Sequence, residues 1–326
     1  MSRPRQRGIA LLTVLLLVAV MAVLVMGVLD DIRFGLRRAD NAQSVAQAQW
    51  HALGAEALAL AQIERLAARD PGRTTSEGDW NGRAFVFPVE SGAISARLSD
   101  ATACFNLNSV VQGGADTFFV NDSGVIQYIA LLQALGFSEH QSGALADSLV
   151  DWIDSDQQRE SLGHEDEAYA RGRDGYRTAG TLLAETSELR AIHGYTAEVY
   201  ARLRPHVCAL PTVKLSPVNV NTLREEDAAI LRMLTEGALD DARARRVIAA
   251  RPTDGWREPL AFWTSPGMDG LVPSGDFINQ IELRTRYFRL HAEVEVGPAQ
   301  VVLSALFEHD GSSPPRLLAR RWSAEE

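Results

Sequence analysis

Residues 9–29 decide the architecture of this chain, because they read IALLTVLLLVAVMAVLVMGVL without a single charged side chain. At about 1.5 Å per residue, a helix of this length is roughly 30 Å long, which matches the hydrocarbon core of a bilayer. Three arginines lie within the first seven residues, and Asp30 and Asp31 follow the run. This order of charges predicts a single membrane span with a cytoplasmic N-terminus.

The helical pattern continues beyond the apolar run. No proline occurs between Pro4 and Pro71, and apolar residues recur at spacings of three and four through the second half of that interval. Such spacing is typical of an amphipathic helix. We therefore expect one helix from about Ile9 to about Ala68, within a segment 9–70 that joins a transmembrane half to a stalk half.

Two blocks of alternating apolar and polar residues predict strands on either side of a long helical region. The first block covers 83–98 and the second 287–322, and helical periodicity fills most of the stretch between them. Because two-stranded sheets are marginal alone, the simplest fold joins both blocks in one sheet. We therefore predict an α+β fold in which an antiparallel sheet, built from 71–122 and 284–326, is interrupted by an inserted all-α domain, 123–283.

Charge and composition exclude several classes of function. The 326 residues carry 32 basic and 42 acidic side chains, so the formal net charge is 32 − 42 = −10. Nucleic acid is not expected as a main partner, because phosphate binding needs a basic face. The seven histidines form no metalloprotease motif and no phosphate-binding loop occurs, so we predict no enzyme. Two cysteines, Cys104 and Cys208, exclude a disulfide-dense scaffold, and whether they pair stays open.

The most distinctive polar stretch is 151–167, which contains seven carboxylates in seventeen residues. Clustered hard oxygen ligands after a helix suit Ca²⁺. Asp154, Asp156 and Glu165 have the spacing of the first, third and twelfth positions of an EF-hand loop, but Arg159 stands where the sharp turn requires glycine. The residues leave two interpretations, an irregular calcium loop or a solvated acidic surface.

Residues 217–251 predict two helices joined by a tight turn, a pattern similar to helix-hairpin-helix and SAM-like domains. DNA-binding hairpins of this kind use glycine-rich backbone N–H groups to contact phosphate. The turn here, 234–241, contains one glycine and three acids. A membrane-anchored, periplasmic, competence-like DNA-binding module is therefore the second hypothesis, and the acidic turn argues against it.

The N-terminus resembles the leader of type IV pilins and pseudopilins, in which basic residues and a glycine precede the apolar helix. The resemblance implies that residues 1–8 are a cytoplasmic leader, that a prepilin peptidase cuts between Gly8 and Ile9, and that Ile9 is methylated. A secretory signal peptide is the alternative, but its apolar region spans only about 7–15 residues and a small-residue site follows it.

Most pilins carry glutamate at the fifth mature position, which is Thr13 here. That carboxylate offsets the charged N-terminus of a neighbouring subunit inside an apolar filament core. A subunit without it cannot neutralise a subunit ahead of it. Thr13 therefore suits the first subunit of a filament.

Five segments extend the resemblance over nearly the whole chain: FNLN at 105–108, DWIDSD at 151–156, the stretch 163–169 with Gly163, Glu165, Asp166 and Tyr169, SELRAIHG at 187–194 and PVNVNT at 217–222. Together with the leader that lacks glutamate, they resemble the K-type minor pseudopilins of type II secretion systems, also called general secretion pathway protein K. The resemblance implies a non-enzymatic filament-tip subunit, anchored in the bacterial inner membrane with the bulk of the chain in the periplasm.

The same resemblance implies partners and a ligand. I-type and J-type minor pseudopilins would bind this chain, together with other type II secretion components and the prepilin peptidase. K-type pseudopilins bind calcium in the α-domain, so the resemblance favours the calcium interpretation of the acidic stretch. The expected ligands are Asp154, Asp156, Glu165 and Asp166, with Asp151 as a substitute one helical turn earlier.

Overall fold

The computed structural model describes residues 6–171, 175–271 and 278–323. In chain order its helices are α1 (Gln6–Arg69), α2 (Asp122–Ala134), α3 (Glu139–Ile153), α4 (Asp166–Ala170), α5 (Ala197–Leu203), α6 (Ala228–Leu234), α7 (Asp241–Ala249) and α8 (Pro259–Trp263). Its strands are β1 (Ala84–Val89), β2 (Gly92–Asp100), β3 (Phe105–Asn106), β4 (Val111–Gly114), β5 (Thr117–Val120), β6 (Val207–Cys208), β7 (Val218–Asn219), β8 (Ile281–Glu282), β9 (Tyr287–Val296), β10 (Ala299–Glu308) and β11 (Arg316–Arg321).

Helix α1 is the long N-terminal helix that the sequence predicts, with 64 residues and a length of roughly 96 Å. It ends just before Pro71, because proline lacks the backbone N–H and its ring clashes within a helix. The large apolar side chains from Ile9 to Leu36 are all exposed. Among the described helices, α1 alone has the length and apolar composition to cross a membrane.

One five-stranded antiparallel sheet forms the base of the folded part, with the strand order β1-β2-β9-β10-β11. β2 pairs directly with β9, from Gly92 opposite Val296 to Asp100 opposite Phe288. Residues 101–286 lie between these two strands and are therefore an insertion into the sheet. This arrangement confirms the predicted α+β fold.

The second half of α1 lies across one face of the sheet. The residues buried on its inner side are mostly small: Ala48, Ala52, Ala55, Ala59 and Ile63. Small side chains let the helix approach the strands closely. At the rim, Glu56 forms a two-pronged ion pair with Arg320 of β11, with both N–O distances 2.7 Å. Glu56 is buried and Arg320 is exposed at the rim, and the pair links the buried side of α1 to β11.

We call residues 101–286 the helical body. It is mainly helical, as predicted, but it also holds three short pairs of strands: β3 with β6, β4 with β5, and β7 with β8. The sequence predicts 71–122 as the first part of the sheet domain, so that the insertion begins at 123. In the structure Phe105, Leu107 and Phe118 are instead buried in the core of the helical body, because the chain turns away from the sheet after Asp100.

The helical body lies beyond the C-terminal end of α1. The turns at Ser91 and Gly297 are joined by a backbone hydrogen bond of 2.9 Å, and Gly297 lies beside Ser44, towards the apolar half of α1. The insertion leaves the sheet at the opposite end. There Arg73 donates to the Asp254 carbonyl at 3.0 Å.

One half-buried carboxylate links the sheet to the helical body at their junction. Asp100, the last residue of β2, accepts hydroxyl hydrogen bonds from Thr102, Thr222 and Thr285. These threonines belong to three separate segments of the chain near the junction. Burial raises the pKa of Asp100 above its usual range. The network holds the helical body in one orientation on the sheet.

Cys104 and Cys208 form a disulfide with a Cα–Cα distance of 5.8 Å. The sequence left this pairing open, because the two cysteines are 104 residues apart. β3 and β6 bring them together, since Phe105 pairs with Val207 and Asn106 with Cys208 in a parallel register. The bond closes the first part of the helical body next to the sheet.

Candidate functional site

Three of the predicted calcium ligands meet in the helical body. One carboxylate oxygen each of Asp154, Asp156 and Glu165 lies within 4.8 Å of the other two. Asp154 is the C-cap residue of α3, and Glu165 is the N-cap residue of α4. The end of one helix and the start of the next therefore position the two buried members of the cluster, and the intervening loop carries Asp156.

Two of these carboxylates are buried without partners. Asp154 is 5% exposed and Glu165 is 8% exposed. Oδ1 of Asp154 and both carboxylate oxygens of Glu165 are inaccessible and accept no hydrogen bond from the described residues. Burying unpaired carboxylates costs several kcal/mol per ion in real proteins. The arrangement therefore requires either protons or a cation.

The pKa values of the cluster reflect this burial. Desolvation, reinforced by Asp156 and Glu165, raises the pKa of Asp154 to about 8. Desolvation, followed by repulsion from Asp151 and Asp156, raises the pKa of Glu165 to about 7. A divalent cation would reverse these shifts, because it stabilises the charged form of each ligand. An all-oxygen set of carboxylates fits Ca²⁺ better than Zn²⁺, which prefers nitrogen and sulfur.

Asp151 lies just behind the cluster, in the last turn of α3. It is fully buried, and its Oδ1 accepts a hydrogen bond from the Glu160 backbone N–H at 2.9 Å, whereas Oδ2 has no hydrogen-bond partner among the described residues. A Cβ at Gly163 would lie 2.0 Å from that Oδ2, so only glycine fits. Burial raises the pKa of Asp151 to about 6. This residue shapes the loop and adds negative charge to the site.

Asp166 does not join the cluster. Its Oδ1 accepts hydrogen bonds from the backbone N–H of Thr178 at 2.9 Å and from the Thr178 hydroxyl at 3.0 Å. Glu165 is in an extended conformation, and adjacent side chains of extended backbone point in opposite directions. Asp166 therefore links the start of α4 to Thr178. This geometry gives no support to its predicted role as a ligand.

The N-terminal residues lie on α1. Thr13 donates its hydroxyl to the Ala10 carbonyl at 2.9 Å, so the side chain is bonded to its own helix. Gly8 and Ile9 are part of the same helix. Cleavage between them stays a prediction, and residues 1–5 of the leader lie outside the described residues.

The hairpin that suggested DNA binding has α6 and α7 as its two helices. Three of its arginines bond to the protein itself. Arg243 donates to the Gly267 and Asp269 carbonyls, Arg245 pairs with Asp241, and Arg251 donates to the Leu223 carbonyl. These side chains balance groups within the fold, and the turn between the helices holds Glu236.

The pattern Asn-x-Asn followed by Ser or Thr forms a repeated structural element. This element was not predicted from the sequence. It occurs at 106–109 and at 219–222. In both copies the second asparagine donates its backbone N–H to the side-chain oxygen of the first. The amide of Asn108 then binds both the N–H and the C=O of Leu183, and the amide of Asn221 binds the same two groups of Trp256. We call these two elements the asparagine locks.

Comparison with known proteins identifies the family of this architecture. Family models described as type II secretion system (T2SS) protein K match residues 103–212 and 218–284. Type II secretion system protein K of Aeromonas hydrophila is 35% identical over 319 residues, which cover 93% of each chain. The Klebsiella pneumoniae protein of the same name is 39% identical over 269 residues, or 81% of each chain.

A solved structure agrees in fold. A chain in the crystal structure of the GspK-GspI-GspJ complex from the enterotoxigenic Escherichia coli type 2 secretion system aligns with a TM-score of 0.76 at 29% identity. The alignment covers 88% of this chain and 99% of that chain. With its long apolar helix, interrupted sheet and two matched segments of the helical body, this chain belongs to the type II secretion system protein K family.

Proposed function

We propose that this chain is a minor pseudopilin that occupies the tip of the type II secretion pseudopilus and acts without enzymatic activity. The position of the helical body carries this proposal. In a filament of parallel stalks, the subunit ahead would lie beyond the C-terminal end of α1. The helical body fills that space and is held there by the Asp100 network. A subunit can be added behind this chain but not ahead of it.

Thr13 supports the same position. Its hydroxyl bonds to the Ala10 carbonyl, so position 13 offers no carboxylate to the charged N-terminus of another subunit. A subunit ahead would bury that terminus without compensation. This cost vanishes only where no subunit lies ahead.

Membrane insertion and processing complete the proposal. The uncharged part of α1 would span the bacterial inner membrane once, with the N-terminus in the cytoplasm and the sheet and helical body in the periplasm. Prepilin peptidase would remove residues 1–8 and methylate Ile9. The I-type and J-type minor pseudopilins would be direct partners, by analogy with the three proteins named in the similar crystal structure.

We also propose that Asp154, Asp156 and Glu165 hold one Ca²⁺. The support is that three buried carboxylate oxygens of this set lack hydrogen-bond partners among the described residues. A bound cation would supply positive charge at the junction of α3 and α4. The protein provides the ligands and the closed loop, and the ion would stabilise the fold and take no part in a reaction.

One experiment tests the tip proposal directly. The full chain is produced with prepilin peptidase and with I-type and J-type pseudopilins, and membrane complexes are isolated and weighed intact. We expect a chain that lacks residues 1–8 and carries one extra methyl group, in a complex with one copy of each partner. An uncleaved chain, or a complex with several copies of this chain along a shaft, would refute the proposal.

A further inference from the structure

Ser155 lies between two of the proposed calcium ligands, Asp154 and Asp156, in the loop 154–165, which we call the carboxylate loop. The backbone of Asp154 is extended, with φ −66° and ψ 170°. Adjacent side chains on extended backbone point to opposite sides. The side chain of Ser155 therefore points away from the carboxylate cluster, towards the hairpin formed by β4 and β5.

This hairpin is a small element whose outer part is exposed. Its strands are joined by a tight turn at Ala115 and Asp116, which have φ values of 49° and 67°. Two residues with positive φ are typical of the turns that match the twist of antiparallel strands. Residues 112–117 are all exposed, and Phe118 is the residue of β5 that is buried in the core of the helical body. The outer part of the hairpin therefore packs little against the rest of the molecule.

Three hydrogen bonds join Ser155 to the hairpin. The backbone N–H of Ser155 donates to the Phe118 carbonyl at 3.0 Å. The backbone N–H of Phe118 donates to Oγ of Ser155 at 2.8 Å. The same hydroxyl donates to the carbonyl of Asp116, in the turn, at 3.2 Å. Both backbone groups of Phe118 are thus bonded to Ser155, which takes the place that a further strand would occupy beside β5.

A cation at the carboxylate cluster would control these hydrogen bonds. Without it, Asp154 and Glu165 hold buried oxygens that accept no hydrogen bond from the described residues. The cost of this burial favours local openings of the loop that admit water. An opening that separates Asp154 from Asp156 also moves the residue between them. The hydrogen bonds of Ser155 would then break, and the hairpin would lose this attachment.

We propose that Ser155 couples the calcium site to the β4–β5 hairpin, so that ion binding holds the hairpin against the carboxylate loop. The inference rests on the proposed calcium site and gives that site a conformational effect. Ser155 is a positioning residue, because its side chain bonds to the hairpin and not to the cluster. Phe119, which is 50% exposed on β5, belongs to the surface that calcium would hold in place.

Amide hydrogen exchange of the full chain in detergent tests the coupling. Peptides within 111–120, separated by mass spectrometry, report on the hairpin with calcium and with chelator. At a free calcium concentration about a hundredfold above the dissociation constant, openings that release the ion become about a hundredfold rarer. The hairpin amides should therefore exchange up to about a hundredfold more slowly with calcium than with chelator. Calorimetric titration with calcium and the melting temperature are measured on the same samples.

Two variants test the part that Ser155 plays. Ser155→Ala removes the hydroxyl that bonds to Phe118 and Asp116. Ser161→Ala is the matched control, because Ser161 is an exposed serine of the same loop. We expect Ser155→Ala to bind calcium and to keep hairpin amides that exchange rapidly with or without the ion. Ser161→Ala should show the same slowing by calcium as the unaltered chain.

The possible failures are distinguishable. If calorimetry records calcium binding but the hairpin of the unaltered chain exchanges equally with calcium and with chelator, the coupling is overturned and the calcium site stands. Slowing by calcium that persists in Ser155→Ala, at unchanged melting temperature, also overturns the proposal. If calorimetry records no calcium binding, the proposed site and the coupling fail together.

Discussion

The two halves of the helical body each contain one asparagine lock. They differ in the segment that leads from the helix pair back to that lock. The first half, 103–212, opens with the lock at Asn106 and Asn108, and the second half, 218–284, opens with the lock at Asn219 and Asn221. Each lock is followed by a pair of packed helices, α2 with α3 and α6 with α7. Each second asparagine then holds the backbone of a residue that lies after its helix pair.

The returning loops are very different. In the first half the segment that follows α3 is long, includes α4 and brings buried carboxylates together. In the second half the loop from Ala250 to Gly255 is short, and Arg251 donates to the carbonyls of Val220 and Leu223 at 3.4 and 2.6 Å. The guanidinium of Arg251 thus supplies the positive charge that links this loop to the second half, whereas the first half would depend on a cation from solution.

The largest expected loss of stability comes from a substitution that removes the asparagine lock of the first half. Asn108→Ala removes three buried hydrogen bonds, to the N–H and C=O of Leu183 and to the C=O of Leu210, each 2.8–2.9 Å long. Since the backbone groups left behind stay buried, we expect a loss of about 3 kcal/mol in the free energy of unfolding. Urea titration of the detergent-solubilised chain, followed by tryptophan fluorescence, measures it.

Asn221→Ala is the matched variant in the second half, where it removes two hydrogen bonds to Trp256. It should cost less, about 2 kcal/mol. Gln47→Ala, on the exposed side of α1, serves as a neutral control. If Asn221→Ala cost more than Asn108→Ala, the two locks would not be equivalent devices.

The second prediction concerns calcium in the first half. At a free concentration a hundredfold above the dissociation constant, one Ca²⁺ should stabilise the chain by about 2.7 kcal/mol. Asp154→Asn and Glu165→Gln should each remove this response. Asp166→Asn should keep it, because that side chain bonds to Thr178 instead. Thermal unfolding with calcium and with a chelator measures the effect, and a response that survives Asp154→Asn would exclude the site.

The third prediction is a pH dependence that only the calcium-free chain displays. The folded-state pKa of Asp154 is about 8 and that of Glu165 about 7, both above the ordinary values for these side chains. A raised folded pKa means that the folded state holds its protons more tightly than the unfolded chain. The stability that these bound protons contribute is complete below about pH 4. It is lost as the pH rises through the folded-state pKa values of the two carboxyl groups.

We therefore expect the calcium-free chain to lose about 2 kcal/mol of stability between pH 5 and pH 8, after allowing for water that enters the loop. Urea midpoints at the two pH values, in chelator, measure the loss. Saturating calcium should make the two midpoints converge at the higher value. A calcium-free chain that becomes more stable towards pH 8 would contradict the assignment of buried, unpaired carboxylates.

Local signals in the sequence predicted the elements well. Ser138 and Gln141 form a capping box at the start of α3, and their spacing in the sequence is typical of one because both partners lie within four residues. Pro71 ends α1 for an equally local reason. The joining of two distant strand blocks into one sheet was also predictable, since neither block can bury its apolar face alone. The disulfide could not be predicted, because only the parallel pairing of β3 and β6 brings Cys104 to Cys208.

The candidate site was predictable in composition but not in detail. The density of acids marked the loop, and three of the four preferred residues meet. Asp166 lies outside the cluster and bonds to Thr178, because its direction depends on the extended conformation at Glu165, which the sequence pattern does not reveal. The locks carried a visible signal, the repeated Asn-x-Asn pattern, yet their partners Leu183 and Trp256 are set by tertiary packing alone.

The smallest expected effect on stability comes from a substitution in the second half of the helical body, at Arg251. Arg251→Met keeps most of the aliphatic stem in place and removes the donor to the Val220 and Leu223 carbonyls. Because the site is only partly buried, water can replace the guanidinium, and the cost should be about 1 kcal/mol. The stabilisation by calcium should stay unchanged, since the cation would act on the other half. Urea titration with and without calcium measures both quantities. If Arg251→Met also reduced the calcium response, the two halves would be coupled through their shared core, and each loop could no longer be treated as closed by its own charge.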